Sequence, residues 1–420
     1  MNVLKKGMDI HLKKFLIARR GEMVDLQNIW IERDRNIRDI VNEEMIVHIE
    51  WSKVPSKDYF ELSTHYIHAG YQTLKEILQN SRSSNIMFDM WFLPSVYMIR
   101  QAIELLLKAG LAVKVATKKE LQDIFVNTKH DLKKMYDIYK ERYGLECLCY
   151  TEQKWLEDYL DSIEVVDSSS NLFRYPFKDN FMKQYGERAL DIASMSNRLL
   201  FCYTTLHKMI YGDWFEEIKL NIKEKTDFLH FSSSSINNCY LYDSPYGDGF
   251  HKQIVGYGEA SKFLFKNFVK TKNVKLFYPM VFLLRNAIEL GLKRILHMRM
   301  HYSIDNRFLR GKKNSHLLYK DLWKSIKPVL VHYSELDDQD KDLLNLAESY
   351  IVSFNSLDKN GDIFRYPCSY SNEYKFNKEK IDVENFLKYL LGIFNFIDGC
   401  ASWLNEIKDY EMEMNSFYDH

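Results

Sequence analysis

FLPSVYMIRQAIELLLK, Phe92 to Lys108, and FYPMVFLLRNAIELGLK, Phe277 to Lys293, agree at ten of seventeen positions without a gap. Agreement of that density means the chain contains one unit twice. Within both stretches apolar residues recur at helical spacing, on Val96, Ile99, Ile103, Leu107 and Leu111 and on Val281, Leu284, Ile288 and Leu292. Further matches follow in the same order: HDL from His130 with HLL from His316, then LFRYP ending at Pro176 with IFRYP ending at Pro367. Weaker echoes pair GYQTLKEIL from Gly70 with GYGEASKFL from Gly256, and WFEEI from Trp214 with WLNEI from Trp403. WLEDYLDSI and LLNLAESYIVSF carry the same helical period, and no long alternating run competes with it.

Working outward, the division is 1–55 as an N-terminal extension, 56–222 as copy one, 223–249 as linker, 250–410 as copy two and 411–420 as a tail. The linker holds the serine run Ser232 to Ser235 and the densest Gly, Pro and Asp cluster. The first fifty residues have no counterpart in copy two, and IARRGEMVDLQNIWIERDRNIRDIVNEEM is periodic enough for one or two helices. The fold expected is all-α: two tandem bundles of four or five helices, packed as a pseudo-symmetric pair, plus the helical extension.

Composition agrees. Gly 16 and Pro 7 in 420 residues are few, as helices require. Lys+Arg 58 equals Asp+Glu 58, which excludes a polybasic binder. Of the six cysteines only Cys147 and Cys149 lie close together, and their spacing suits neither a CxxC motif nor a zinc knuckle, so they read as reduced thiols of a cytoplasmic protein. No apolar run is long enough for a membrane span. The lysine-, asparagine- and aromatic-rich usage is that of an AT-rich, bacterial genome.

Polar residues kept in both copies are candidates for something both copies need. Arg100, Glu104 and Lys108 answer to Arg285, Glu289 and Lys293, at a spacing that puts all three on one helix face. An exposed pair there contributes only about 0.3–0.5 kcal/mol, so another helix is expected to meet them. The second cluster is FRYP, with Arg174 and Tyr175 in copy one and Arg365 and Tyr366 in copy two. The proline disfavours helix at the tyrosine and sets the arginine at a helix boundary. Two readings stand: a buried ion pair of Arg174 with Glu104 and of Arg365 with Glu289, or guanidiniums that bind phosphate. His130 and His316 read as helix-start residues or as catalytic ones. The candidate catalytic set is therefore Arg174, Arg365, Tyr175, Tyr366, His130 and His316. No metal or cofactor is expected: the helically spaced pairs His65 with His68 and His297 with His301 have no accompanying carboxylate motif and no counterpart in the other copy. No Walker loop, GxGxxG turn or GxSxG elbow occurs.

Together AIELLLK, an H-x-L opening a later helix and the distal arginine of FRYP resemble HEPN domains, all-helical modules of prokaryotic toxin, abortive-infection and defence proteins. The resemblance implies a bundle that pairs with a second one, here within the chain, with Arg174 and Arg365 facing each other. Many members of that family are metal-independent endoribonucleases; others only bind RNA or partner proteins. The nuclease members carry an arginine followed at short spacing by a histidine. Neither FRYP has one, and the matches Arg294 with His301 and Arg310 with His316 are no more than chance supplies. The resemblance thus implies a non-catalytic RNA- or partner-binding sensor or adaptor, the alternative being a metal-independent endoribonuclease with an arginine-centred site between the copies. RNA, a protein encoded alongside and a homo-oligomer are the partners it leaves open.

Overall fold

The structure is a computed structural model that describes residues 26–418 except 27, 80–86, 116, 213–224, 242–248, 301–308, 310–315, 335–337 and 375. Among the described residues twelve α-helices carry it. In copy one they are α1 (Pro55–Gln79), α2 (Phe92–Val113), α3 (Lys118–Thr128), α4 (Leu132–Tyr143), α5 (Tyr150–Asp167), α6 (Asp179–Tyr185) and α7 (Ile192–Tyr211). In copy two they are α8 (His251–Thr271), α9 (Phe277–Met300), α10 (Lys324–Ser334), α11 (Asp338–Leu357) and α12 (Val383–Tyr418). The all-α class is as expected. Copy one exceeds the expected five helices through α3 and the short α6. No helix among the described residues is long and apolar enough to cross a membrane.

The two stretches that define the repeat form the middle of the molecule. Every residue of α2 from Phe92 to Leu111 is buried, and α9 is buried from Phe277 through Leu296. A helix apolar on all sides has to be wrapped by others. Copy one wraps α2 with α1, α4 and α7, copy two wraps α9 with α8, α10 and α12, and the first helix of each copy also touches the central helix of the other. Local signals stop and start the outer helices: Asp131 and Asp191 cap α4 and α7 by accepting from the backbone N–H of Lys134 and Ser194, and Gly144 and Gly212 end them at φ 73° and 95°.

Short strands bind the copies at their edges. β1 (Ile46–Ile49) pairs antiparallel with β5 (Glu379–Asp382), while β2 (Ala189–Leu190) lies between β3 (Phe231–Ser232) and β4 (Cys239–Tyr240). The segment ahead of each copy's first helix thus pairs with the strand ahead of the other copy's last helix. In this pairing β1, the strand of the described part of the extension, holds the place that β3 and β4 of the linker hold for copy two, which corrects its reading as lacking a counterpart. It also corrects the expected helices there. In the described part, residues 26–54, only a 3₁₀ turn (Glu43–Met45) and β1 form. Tertiary contacts override the helical pattern: Glu32 N–H donates to the Tyr350 hydroxyl, the amide of Asn395 donates to Ile29 O, and Asp382 accepts from Val41 and Asn42 N–H. The proposed tail at 411–420 is likewise no separate element as far as it is described, because α12 runs through Tyr418.

Candidate functional site

Each central helix carries its Arg, Glu and Lys into the interior. Arg100, Glu104 and Lys108 are at most 1% exposed, and Arg285, Glu289 and Lys293 are fully buried. Glu104 takes Arg100 at 3.0 Å and Lys108 at 2.7 Å; Glu289 takes Arg285 in a close contact and Lys293 at 2.7 Å. Burial alone pushes both carboxyls up, but Lys108, His130 and Arg100 around Glu104, and Lys293, His316 and Arg285 around Glu289, outweigh it and hold both well below the usual carboxylate range. Both are therefore ionised and can only accept hydrogen bonds.

The expected partners of these carboxylates are not the ones found. Arg174 does not pair with Glu104, nor Arg365 with Glu289. The arms cross instead: the Tyr366 hydroxyl of copy two donates to Glu104 at 2.8 Å, and the Tyr175 hydroxyl of copy one donates to Glu289 at 2.9 Å. The backbone explains the crossing. Tyr66 on α1 donates to Phe364 O at 2.9 Å and Tyr257 on α8 to Phe173 O at 3.1 Å, while the amides of Gln101 and Asn286 donate to Arg365 O and Arg174 O. Each FRYP backbone is thus anchored on the opposite copy. Tyr66 and Tyr257 do the same work, so the first helices align on them and not on Gly70 with Gly256.

The carboxylate positions for the arginines of α2 and α9 are filled by two residues that sequence reasoning missed. Arg100 Nε lies 3.1 Å from Asp167 and Arg285 Nε 3.1 Å from Asp358. Asp167 stands the same distance ahead of Arg174 as Asp358 ahead of Arg365, so extending the FRYP match backwards finds both. The same carboxylates also organise the arms, Asp167 accepting from Asn171 and Leu172 N–H and Asp358 from Ile363 N–H.

His130 and His316 complete the clusters. His130 Nδ1 lies 3.1 Å from Glu104 and 3.2 Å from the Tyr366 hydroxyl; His316 Nδ1 lies 2.9 Å from Glu289 and 3.0 Å from the Tyr175 hydroxyl. An ionised carboxylate cannot donate, so Nδ1 must carry the proton and each neutral ring keeps its Nε2 lone pair free. Burial lowers both imidazoles below their ordinary value, and the facing carboxylate only partly offsets it. The rings are the wet edge of each cluster, with side chains 27% and 29% exposed.

Arg174 and Arg365, 3% and 7% exposed, are held by aromatic rings and the hydroxyl of the following tyrosine. Each guanidinium lies 5.1 Å from that tyrosine's ring centroid, and both rest against Phe282, at 5.6 and 5.7 Å. The two arginines are therefore brought to a single ring between the copies. Lys108 and Lys293 lie 4.5 Å from the rings of Tyr366 and Tyr175. All twelve candidate residues named from sequence fall in these two clusters, six in each. His301 and Arg310 lie outside the described residues. No group of histidine, cysteine and carboxylate side chains suited to a metal occurs among the described residues. Compared with family models, with curated proteins and with solved structures, the chain finds no match.

Proposed function

We propose that the chain is a HEPN-like protein of a prokaryotic defence or toxin-type system, its two bundles forming an intramolecular pseudo-dimer, and that it acts as a non-catalytic RNA- or partner-binding sensor or adaptor in the cytoplasm. One observation carries the non-catalytic part. The tyrosine hydroxyls of both arms are committed to the carboxylate and imidazole of the opposite copy, with the arginines buried beside them. Groups satisfied in this way hold two halves together, and none of the four arm residues is left to meet a scissile phosphate.

A second reading, a metal-independent endoribonuclease, is favoured by one feature. The carboxylate behind each imidazole fixes the tautomer that leaves Nε2 free at the exposed edge, the arrangement of a general base.

The test is purified full-length protein incubated with tRNA and total RNA in EDTA, beside a His130→Gln, His316→Gln variant and an Arg174→Ala, Arg365→Ala variant, each shown folded by circular dichroism. Absence of cleavage together with RNA affinity that falls steeply with salt supports a binding module for RNA. Salt-insensitive or absent RNA binding, again without cleavage, points to a protein partner. Cleavage by the wild type that the histidine variant loses establishes the nuclease and overturns the non-catalytic reading.

A further inference from the structure

The buried charges of the two clusters do not balance. Around Glu104 and Asp167 stand Arg100, Lys108 and the opposite arm's Arg365; around Glu289 and Asp358 stand Arg285, Lys293 and the opposite arm's Arg174. Counting the buried groups, that is three cations to two carboxylates in each cluster while the imidazole is neutral, with the half-buried Glu164 a further carboxyl at the edge of the first. Neither FRYP guanidinium has a carboxylate within ion-pair distance among the described residues, and the Nε of each is buried without a partner. A proton added to either histidine makes the ratio four to two, and although the ring itself reaches the wet edge, the cations it faces are buried.

Position turns that excess into a mechanical effect. Each histidine touches, through the same Nδ1, the carboxylate of one copy and the tyrosine of the other copy's arm. His130 faces Arg100, Glu104 and Lys108 from α2, Arg365 and Tyr366 from the arm, and Glu164 and Asp167 from α5, Glu164 accepting the N–H of Leu132 beside it. His316 faces Arg285, Glu289 and Lys293 from α9, Arg174 and Tyr175 from the arm, and Asp358 through Arg285. Beside the one carboxylate that each histidine and arm tyrosine share stand two cations, Lys108 with Arg365 and Lys293 with Arg174, which a charged imidazole would repel.

We propose that His130 and His316 make the joint between the two copies acid-sensitive, their protonation loosening the FRYP arms from the opposite helices. The sign follows from the charge count. An imidazole harder to protonate in the folded chain than in the unfolded one contributes stability that is complete above the ordinary imidazole value near 6.5 and is lost as pH falls below it. This inference is independent of whether the chain binds or cleaves RNA.

The experiment compares the full-length wild type with a His130→Asn, His316→Asn variant, whose amides can donate to Glu104 and Glu289 but cannot be protonated. The thermal midpoint and the radius of gyration from small-angle scattering are followed from pH 8 to pH 5.5. The wild type is expected to lose about 3 °C more than the variant over that range and to expand, while the variant stays compact. Parallel losses in the two proteins would overturn the proposal, since they would assign the effect to other buried imidazoles such as His65 and His207. If the variant does not fold, the histidine C2–H resonances of the wild type decide: titration of His130 and His316 coincident with expansion supports the proposal, and titration without expansion refutes it.

Discussion

Tyr97 stacks on Phe282, ring centroids 5.1 Å apart at an interplanar angle of 24°, and the two residues hold the same place in the two copies of the repeated stretch. A residue meeting its own counterpart is the contact that a two-fold relation between the copies would require. Around it the polar contacts are reciprocal: Tyr175 with Glu289 against Tyr366 with Glu104, and Asn286 with Arg174 O against Gln101 with Arg365 O. The joint is therefore built largely of residues that gain their partners only when both copies are present.

Crossed partnering makes a definite statement about coupling. Tyr366→Phe and Glu104→Gln should interact strongly, because they remove two ends of one buried hydrogen bond, whereas Tyr366→Phe and Glu289→Gln should add. Each Tyr→Phe change is expected to cost about 1–2 kcal/mol, and each Glu→Gln about 3–5 kcal/mol through the cations left buried without a carboxylate. Urea unfolding of the single and double variants measures both, and a coupling that follows the copies instead of crossing them would contradict the geometry.

The arms also differ in a way that substitution can read. Gly361 has φ +73°, and a Cβ there would meet the guanidinium of Arg285 at 2.4 Å, so Gly361→Ala should lower stability by more than 2 kcal/mol, on the order of a buried steric clash plus left-handed strain. Ser170 stands at the matching place in copy one with φ 57°, buried, its hydroxyl without a partner. Ser170→Gly is accordingly expected to raise the thermal midpoint, by an amount that corresponds to about 1 kcal/mol.

Glu164 offers a test with a pH window. Burial raises its carboxyl to about 7, against the lowering effect of the Leu132 N–H and of Arg100. A carboxyl raised in the folded state contributes stability that is complete below its unfolded value near 4.3 and is lost as pH rises through about 7. Glu164→Gln keeps an acceptor for Leu132 and removes the charge. The variant should thus gain in thermal midpoint over the wild type at pH 8 and gain nothing at pH 4.

Asp382 ties the leading segment to copy two, accepting from the N–H of Val41 and Asn42 with one oxygen and of Asn385 with the other. Asp382→Ala leaves three backbone donors unmet and should cost about 2–3 kcal/mol. Hydrogen exchange should show the loss first in Ile46–Ile49.

Much of this site was legible from residue order alone. The repeat pointed to α2 and α9, and the spacing of Arg100, Glu104 and Lys108 put them on one face; the proline of FRYP suggested a helix boundary at Arg174 and Arg365, which instead sit in turns between helices. Partner choice was not legible. Helical spacing says which side chains share a face, and nothing in it says whose arm arrives there, so Glu104 was matched to the arginine of its own copy. The aspartates that pair with Arg100 and Arg285 were missed because Asp167 and Asp358 are separated from FRYP by unlike residues. The extension from Leu26 to Val54 was misread for a different reason: its charged, periodic pattern suits a helix, yet its backbone donors and acceptors find better partners in Tyr350, Asn395 and Asp382 than in one another.

The pairing of β1 with β5 has a consequence for how the chain is made. Ile46 emerges from the ribosome long before its partner Asp382, so the edge strand must wait through the synthesis of everything between them before its ladder can close. Until then Val47 and Ile49, both buried at the end, lie on a strand whose ladder partners Ile381 and Glu379 have not been made. Nascent chains halted ahead of residue 379 should therefore hold copy one's helices while leaving this hem open, a moment when a holding chaperone has an apolar strand to grip.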